Sequence, residues 1–214
     1  MIDNKLITKK PIFLGPSKLT SFLYPHSAKE DLLSTLNCAI GKRGAVYVSG
    51  PITTGRRFVN WFLDIGQPLE DNPNVYKHAL QQAVIQPNES DILGIAESLR
   101  LHSPIPVIQP ASLKISSWDQ KSYYQFWESV IEQYVVRVVV INGWQCSVGC
   151  AIEFQYAVEC GIPVETDTGK AVSPEIGSAL MLDAAIEIEQ KCATSDKLKR
   201  IANSLRACAM KDKV

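Results

Sequence analysis

The sequence has no excess of charge of either sign and no long run of apolar residues. Lysine plus arginine number 22, and aspartate plus glutamate also number 22. This balance gives no overall field that would draw the chain to nucleic acid or to an anionic membrane. The apolar runs fall far short of the roughly 20 residues that span a bilayer, and no apolar signal core follows the first lysines. We therefore expect a soluble, cytoplasmic protein with a small-molecule partner, bound to neither membrane nor nucleic acid.

The cysteines lack the arrangement of a disulfide framework. The six cysteines are scattered through apolar or helical surroundings, which is typical of reduced thiols. Cys146 and Cys150 lie four residues apart, but no histidine is near them in sequence and no second pair completes a tetrahedral zinc site. We therefore expect no metal site and no cofactor.

The segment 138–164 has the clearest pattern in the sequence. Residues 138–141 are a run of β-branched residues, which is typical of a strand covered on both faces of a parallel sheet. A helix is predicted from about Val148 to Cys160, ended by Gly161, with a second strand at 162–164. Ligands of open α/β sheets bind at the carboxyl ends of the strands, so we expect the chemistry at 142–149, with Glu153 one turn further along.

The remaining pattern alternates strands with helices. Strands are predicted at 45–49 and 104–109, and helices at 90–101 and 116–135. Between them, 58–88 reads as a long irregular loop, either a lid over the site or a satellite apolar patch. This alternation predicts an α/β fold, a flavodoxin-like doubly wound parallel sheet of about four to five strands. The α/β domain would span 45–165, after an N-terminal extension at 1–44 and before C-terminal helices within 166–214, which pack on the domain or between subunits.

The loop after the first predicted strand, 50–57, has the composition of a ligand-binding turn. It contains two glycines, Thr53 and Thr54, and the arginines Arg56 and Arg57. Such a loop at a strand end can wrap an anion or a sugar with its backbone N–H groups. An ordinary strand-to-helix turn has the same composition. If the loop binds a ligand, its arginines favour a monophosphate over a neutral nucleoside.

Two separated motifs resemble one superfamily. The first is Tyr47-Val-Ser-Gly50-Pro-Ile-Thr-Thr-Gly55-Arg56. The second, residues 143–164, has the form G-W-x-x-S-x-G-x-x-x-E-x-x-x-A-x-x-x-G-x-P-V, and it is the more specific of the two. Both are similar to the nucleoside 2-deoxyribosyltransferase-like superfamily, which includes deoxynucleoside 5′-monophosphate N-glycosidases and an uncharacterised bacterial branch. The resemblance covers 45–164 in outline.

The resemblance implies roles for individual residues. Glu153 falls where the family has the catalytic glutamate that attacks the anomeric carbon, and Glu128 falls where it usually has an aspartate on the preceding helix. The positions that contact sugar, phosphate or the 5′ end are Tyr47, Gly50, Pro51, Ile52, Thr53, Ser147 and Gly149. Three features depart from the family: Thr53 replaces the arginine of the glycosidases, Val136 replaces a common aspartate, and 58–88 is an insertion.

These residue types suit the chemistry. Cleavage of an N-glycosidic bond passes through an oxocarbenium-like state that a nearby carboxylate can stabilise or capture, and a second carboxyl can move protons. The Tyr47 hydroxyl is suited to orient Glu153. By spacing alone, Glu153 also fits a carboxylate on a helix surface, as does Glu128. Trp144 is expected to form a wall of the pocket or part of the core.

Three functions are compatible with these observations. The first is an enzyme that hydrolyses or transfers the sugar of a nucleoside or nucleotide, which the retention of Glu153, Tyr47 and Glu128 favours. The second is a module that senses a nucleotide without turning it over, which the changes at Thr53 and Val136 favour. The third is a flavodoxin-like phosphate or flavin binder, suggested by the 50–55 loop alone.

We also expect a homodimer, because the resemblance implies one and because the helix at 116–135 has more aromatic residues than one face can bury. These residues are Tyr123, Tyr124, Phe126, Trp127 and Tyr134.

Overall fold

The computed structural model describes residues 28–41, 44–191 and 195–211. Predictions that concern residues 1–27 or Cys192 lie outside these ranges. The chain divides into two units after Cys38. Helix α1 (Ala28–Ile40) begins in the first unit. The second unit, residues 39–214, contains the sheet and the helices that follow it.

Four parallel strands form the sheet in the order β2-β1-β3-β4. They are β1 (Ala45–Ser49), β2 (Val107–Ile108), β3 (Val135–Val140) and β4 (Val164–Thr166). The register pairs Val46 with Val107 and Ser49 with Val140. This order reverses direction at β1, which defines a flavodoxin-like sheet with its switch point between β1 and β3. The predicted α/β fold class is confirmed.

The two faces of the sheet carry different side chains because successive residues of a strand point in opposite directions. On one face, Val46, Val48 and Val139 pack with Ile92 and Ala96 of the crossover helix α4 (Gln86–His102). On the other face lie Tyr47, Ser49 and two helices, α5 (Gln120–Tyr134) and α6 (Val148–Glu159). Helices therefore cover both faces, as a doubly wound sheet requires.

The predicted irregular loop at 58–88 is helical instead. It consists of α2 (Arg56–Trp61), a π-helical turn (Phe62–Gly66), a 3₁₀ turn (Gln67–Leu69), α3 (Pro73–Leu80) and a second π-helical turn (Gln81–Ile85) that runs into α4. Its prolines do not break the helical path: Pro73 occupies the first position of α3, where the missing N–H costs nothing, and Pro68 and Pro87 occupy the second position of the segments that directly follow the two π-helical turns. The Asn72 side chain caps α3 by accepting from Val75 N.

The aromatic residues of this insertion form a cluster of their own, as expected for a satellite apolar patch. Phe58 stacks on Phe62, and the rings of Trp61 and Tyr76 meet edge to face at 5.3 Å. The Lys197 ammonium lies 4.4 Å from the centre of the Tyr76 ring and forms an ion pair with Glu70. The insertion therefore contacts the start of α8 (Asp196–Ala209), the last helix, through Lys197.

The last two helices, α7 (Pro174–Lys191) and α8 (Asp196–Ala209), pack on each other and on α6. Gly177 of α7 permits a close approach to the ring of Phe154 on α6. A short 3₁₀ turn (Trp144–Cys146) precedes α6 and contacts α7. Among the residues described, no helix is both long and apolar enough to cross a bilayer.

The aromatic residues that suggested a dimer are accommodated within one chain. Phe126, Trp127 and Tyr134 are buried, and the Tyr123 hydroxyl accepts a hydrogen bond from the Ile115 amide at 2.8 Å. Tyr124 lines a cavity described below. The homodimer stays a prediction without support from these side chains.

Candidate active site

Glu153 is held at the sheet by two hydroxyl groups of β1. Tyr47 Oη donates to Glu153 Oε1 at 2.8 Å, and Ser49 Oγ donates to Glu153 Oε2 at 2.6 Å. Tyr47 and Ser49 are two residues apart, so both side chains point to the face that α6 covers. The Tyr47 ring packs beside Trp127, with 5.6 Å between ring centres. Both carboxylate oxygens of Glu153 thus have fixed directions.

Removal from water raises the pKa of Glu153 to about 7, although the hydrogen bonds from Ser49 and Tyr47 act in the opposite direction. Desolvation prevails because an ionised carboxylate loses more hydration than two neutral hydroxyls restore. Burial, and then the neighbouring Glu153 charge, raise the pKa of Tyr47 well above its ordinary value. Tyr47 therefore remains a neutral donor while Glu153 titrates near neutral pH.

The start of α6 is tied to the loop after β1. Ser147 caps the helix, since its Oγ accepts from the Cys150 amide at 3.5 Å. The same Oγ is hydrogen-bonded to Thr54 Oγ1 at 3.0 Å. Burial raises the pKa of Cys150 to about 12, so this thiol stays protonated and is a poor nucleophile. Ser147 and Gly149 line the same cavity as Glu153, so the partly positive N-terminus of α6 borders that cavity.

A cavity of about 420 Å³ opens in front of Glu153 at the carboxyl ends of β1 and β3. Its size falls within the range of small-molecule sites. The loop after β1, the insertion, the segment after β2, and helices α5 and α6 all contribute to it. Its lining includes Gly50, Ile52, Thr53, Thr54, Gln81, Ile85, Glu89, Lys114, Gln120, Tyr123, Tyr124, Trp127, Ser147, Gly149, Cys150 and Glu153.

Most of the residues singled out from sequence meet at this cavity. Those that line it are Gly50, Ile52, Thr53, Ser147, Gly149 and Glu153. Tyr47 is fully buried and reaches the site through its hydrogen bond to Glu153. Pro51 is buried and packs against Gly55 of the same loop, whose φ of 97° favours glycine.

Three other predicted residues are not part of the lining. The Arg56 guanidinium forms a bidentate ion pair with the Glu187 carboxylate of α7, with N···O distances of 2.9 and 3.0 Å. Trp144 is 3% exposed and packs on Phe154, which makes it a core residue. Glu128 is partly buried on α5 and lies near Tyr156 and Lys211.

Arg57, the second arginine of the loop, is also engaged elsewhere. Its guanidinium donates to Asn88 and forms an ion pair with Asp91 at 3.0 Å, both on α4. Asn88 in turn donates to the Ile52 carbonyl at 2.9 Å. Both arginines therefore hold the loop and its neighbouring helices together, and neither is directed into the cavity.

The cavity has polar residues that sequence reasoning missed. Glu89 of α4 and Lys114 of the segment after β2 form an ion pair across its edge, at 3.0 Å. Gln81 and Gln120 add two amides to the lining. No local pattern marks these positions, because they lie on separate elements that only the fold brings together.

The described residues include no cluster of three or more histidine, cysteine, aspartate or glutamate side chains that would hold a metal ion. Comparison of the chain with protein-family models, curated proteins and solved structures gives no match.

Proposed function

We propose that the protein cleaves the N-glycosidic bond of a nucleoside or nucleoside 5′-monophosphate, with Glu153 as the nucleophile. The observation that carries this proposal is the placement of Glu153: its carboxylate lines the cavity while Tyr47 and Ser49 fix both of its oxygens. A half-buried carboxylate with a pKa of about 7 is a typical feature of a catalytic site. The resemblance of the two sequence motifs to the deoxyribosyltransferase-like superfamily supports the same assignment.

The reaction balances with these groups. A Glu153 oxygen forms a bond to the anomeric carbon while the carbon–nitrogen bond breaks, and the electron pair leaves with the base, which takes a proton from water. Water or a second base then attacks the same carbon, gives its proton to the hydroxide left by the first step, and releases the carboxylate. Donation from Tyr47 and Ser49 orients the attacking carboxylate and stabilises its ionised form.

The walls of the cavity suit a nucleoside. Tyr123, Tyr124 and Trp127 form an aromatic side of the lining, a surface on which a planar base can stack. Ser147 and Gly149 at the start of α6, where Gly149 lies beside the Tyr124 ring, offer polar groups to a sugar or its 5′ substituent. Glu153 is on the same helix and lines the same cavity.

A chromatographic screen tests the proposal. Purified protein is incubated with ribo- and deoxyribonucleosides and their monophosphates, with and without an acceptor base, and free base is measured. We expect base release from at least one of them. Binding without release from any of them would favour the alternative, a non-catalytic nucleotide sensor that uses the same pocket.

The pH dependence of the rate should show how the Tyr47 and Ser49 hydroxyls affect the ionisation of Glu153. Since Glu153 must be ionised to attack, kcat/KM is expected to rise about tenfold per pH unit below about pH 7 and to level off above it. Tyr47→Phe removes one bond to the ionised carboxylate, worth about 1.5–3 kcal/mol, so this limb should move upward by about one pH unit or more. Initial rates across pH 5–9 measure the shift.

Tyr123→Phe is the matched control, because the Tyr123 hydroxyl bonds the Ile115 amide rather than Glu153. Its acid limb should stay where it is in the wild-type protein. An unmoved limb in Tyr47→Phe would contradict a role for Glu153 as the titrating nucleophile.

A further inference from the structure

The two members of the Glu89–Lys114 ion pair differ greatly in their exposure to solvent. The Lys114 side chain is 66% exposed, whereas the Glu89 side chain is only 15% exposed. Both Glu89 oxygens face the ammonium, at 3.0 and 3.1 Å, and both residues line the cavity. An ion pair with an exposed lysine contributes little to stability, so stability alone does not account for a carboxylate placed at this cavity.

The position of Glu89 is fixed by its neighbour. Asn88 is 5% exposed, donates to the Ile52 carbonyl of the β1 loop and accepts from Arg57. The start of α4 is thereby locked to the loop that borders Glu153. Glu89 therefore presents a carboxylate at a defined place in the cavity wall, an arrangement suited to recognition rather than to surface solvation.

The pair offers one acceptor and one donor side by side. An ionised carboxylate only accepts hydrogen bonds, and an ammonium has three donors, so Lys114 can bond Glu89 and a ligand at once. The complementary ligand has an N–H next to a carbonyl oxygen. A phosphate suits this edge poorly, because Glu89 already neutralises Lys114, the one cation among the cavity-lining residues that the structure describes.

We propose that Glu89 and Lys114 form a base-reading subsite, in which Glu89 accepts from the ring N–H of the base and Lys114 donates to the adjacent carbonyl. This inference rests on the proposed function and narrows its substrate class to nucleosides whose base has such an edge. The amides of Gln81 and Gln120 are in the same lining, and Gln120 lies beside Tyr124 of the aromatic wall.

Affinity measurements with matched ligands test the subsite. All proteins carry Glu153→Gln so that no ligand is consumed, and calorimetry compares 2′-deoxyuridine with its 3-methyl derivative, and 2′-deoxyinosine with its 1-methyl derivative. Methylation removes the ring N–H and keeps the carbonyls. With Glu89 present, at least one parent nucleoside should bind about tenfold or more tightly than its methylated form.

Glu89→Gln should reduce that preference to within about threefold, because the charge-assisted bond is lost while the methylated ligand is unaffected. Lys114→Met should weaken both members of the pair alike, since both retain the carbonyl. Asp91→Asn is the matched control: Asp91 is an exposed carboxylate of α4 paired with Arg57, outside the cavity lining, and its loss should leave the preference intact. Because each preference is a ratio within one protein, a partial loss of folded protein does not alter it.

The subsite proposal would be wrong if Glu89→Gln kept the full preference for the parent nucleoside over its methylated form, or if neither parent nucleoside bound. The two proposals fail separately. If the wild-type protein releases no base while Glu89→Gln removes the preference, catalysis by Glu153 is wrong and the subsite stands. If base is released but the preference does not depend on Glu89, the subsite is wrong and the catalytic proposal stands.

Discussion

Glu153→Gln is expected to lower base release by at least about a thousandfold, because the amide keeps the shape of the side chain but cannot act as an anionic nucleophile. Tyr47 and Ser49 hold the two oxygens of the present carboxylate, so the loss would come from chemistry rather than from a missing side chain. Initial rates of base release at pH 8, where the wild-type carboxylate is ionised, measure it.

The same substitution is expected to stabilise the protein at pH 8. The folded pKa of Glu153, about 7, lies above its ordinary value of 4.5, so the folded state holds the proton more tightly than the unfolded chain does. The wild-type protein therefore loses stability from this group as the pH rises from about 4.5 to 7, and regains none above it. Allowing for water in the cavity, this loss is about 1–3 kcal/mol.

Urea unfolding at pH 5 and pH 8 tests the stability effect. Glu153→Gln should gain unfolding free energy over the wild-type protein at pH 8 and much less at pH 5. Glu128→Gln is the matched control, since Glu128 lies outside the cavity lining, and it should have a small effect at both pH values. Unaltered turnover in Glu153→Gln would contradict the mechanism. A large loss of stability at both pH values would assign Glu153 a structural role.

The part of the fold that carries Glu153 was predictable because its signals are local. The apolar run of β3 and the stop at Gly161 place α6 at 148–159, within one residue of the expected helix. Tyr47 and Ser49 alternate on a short apolar strand, so the side of the sheet they share also follows from sequence.

The insertion at 58–88 was mispredicted because proline has opposite meanings at different helix positions. In a helix interior it removes a hydrogen bond, but at the first turn its fixed φ favours the helix. Pro73 begins α3, and Pro68 and Pro87 are the second residues of the helical segments that follow the two π-helical turns. The two π-helical turns also shift the 3.6-residue period, which hides the apolar stripe from a periodicity search.

The anionic ligand group expected from Arg56 could not be judged from sequence. Arg56 and Arg57 start α2, yet their partners Glu187 and Asp91 are 131 and 34 residues away. Lys114 and Glu89 reach the cavity from positions 25 residues apart. Such partners depend on how helices pack against the sheet, and local composition contains no information about that.

Substitution of Gly177 and of Gly94 by alanine is expected to have opposite effects on stability. Gly177 is closely packed against another helix, whereas Gly94 has no neighbour near its missing Cβ. A Cβ on Gly177 would lie 2.0 Å from Phe154 Cζ and 2.4 Å from Cε1. Phe154 is fully buried and packs against Trp144, so its ring has little room to move. Gly177→Ala should therefore lower the unfolding free energy by about 1–3 kcal/mol.

Gly94 of α4 provides the matched control. It is exposed in the middle of the helix, and a Cβ there would have no neighbour within 4 Å. Gly94→Ala should raise the unfolding free energy by about 0.5–1 kcal/mol, the ordinary gain for a helix interior. Urea midpoints of the two variants give the signs directly. Because Phe154 follows Glu153 on α6, Gly177→Ala should also lower base release, whereas Gly94→Ala should not. Equal stability of both variants would mean that α7 does not fix the position of α6 through Phe154.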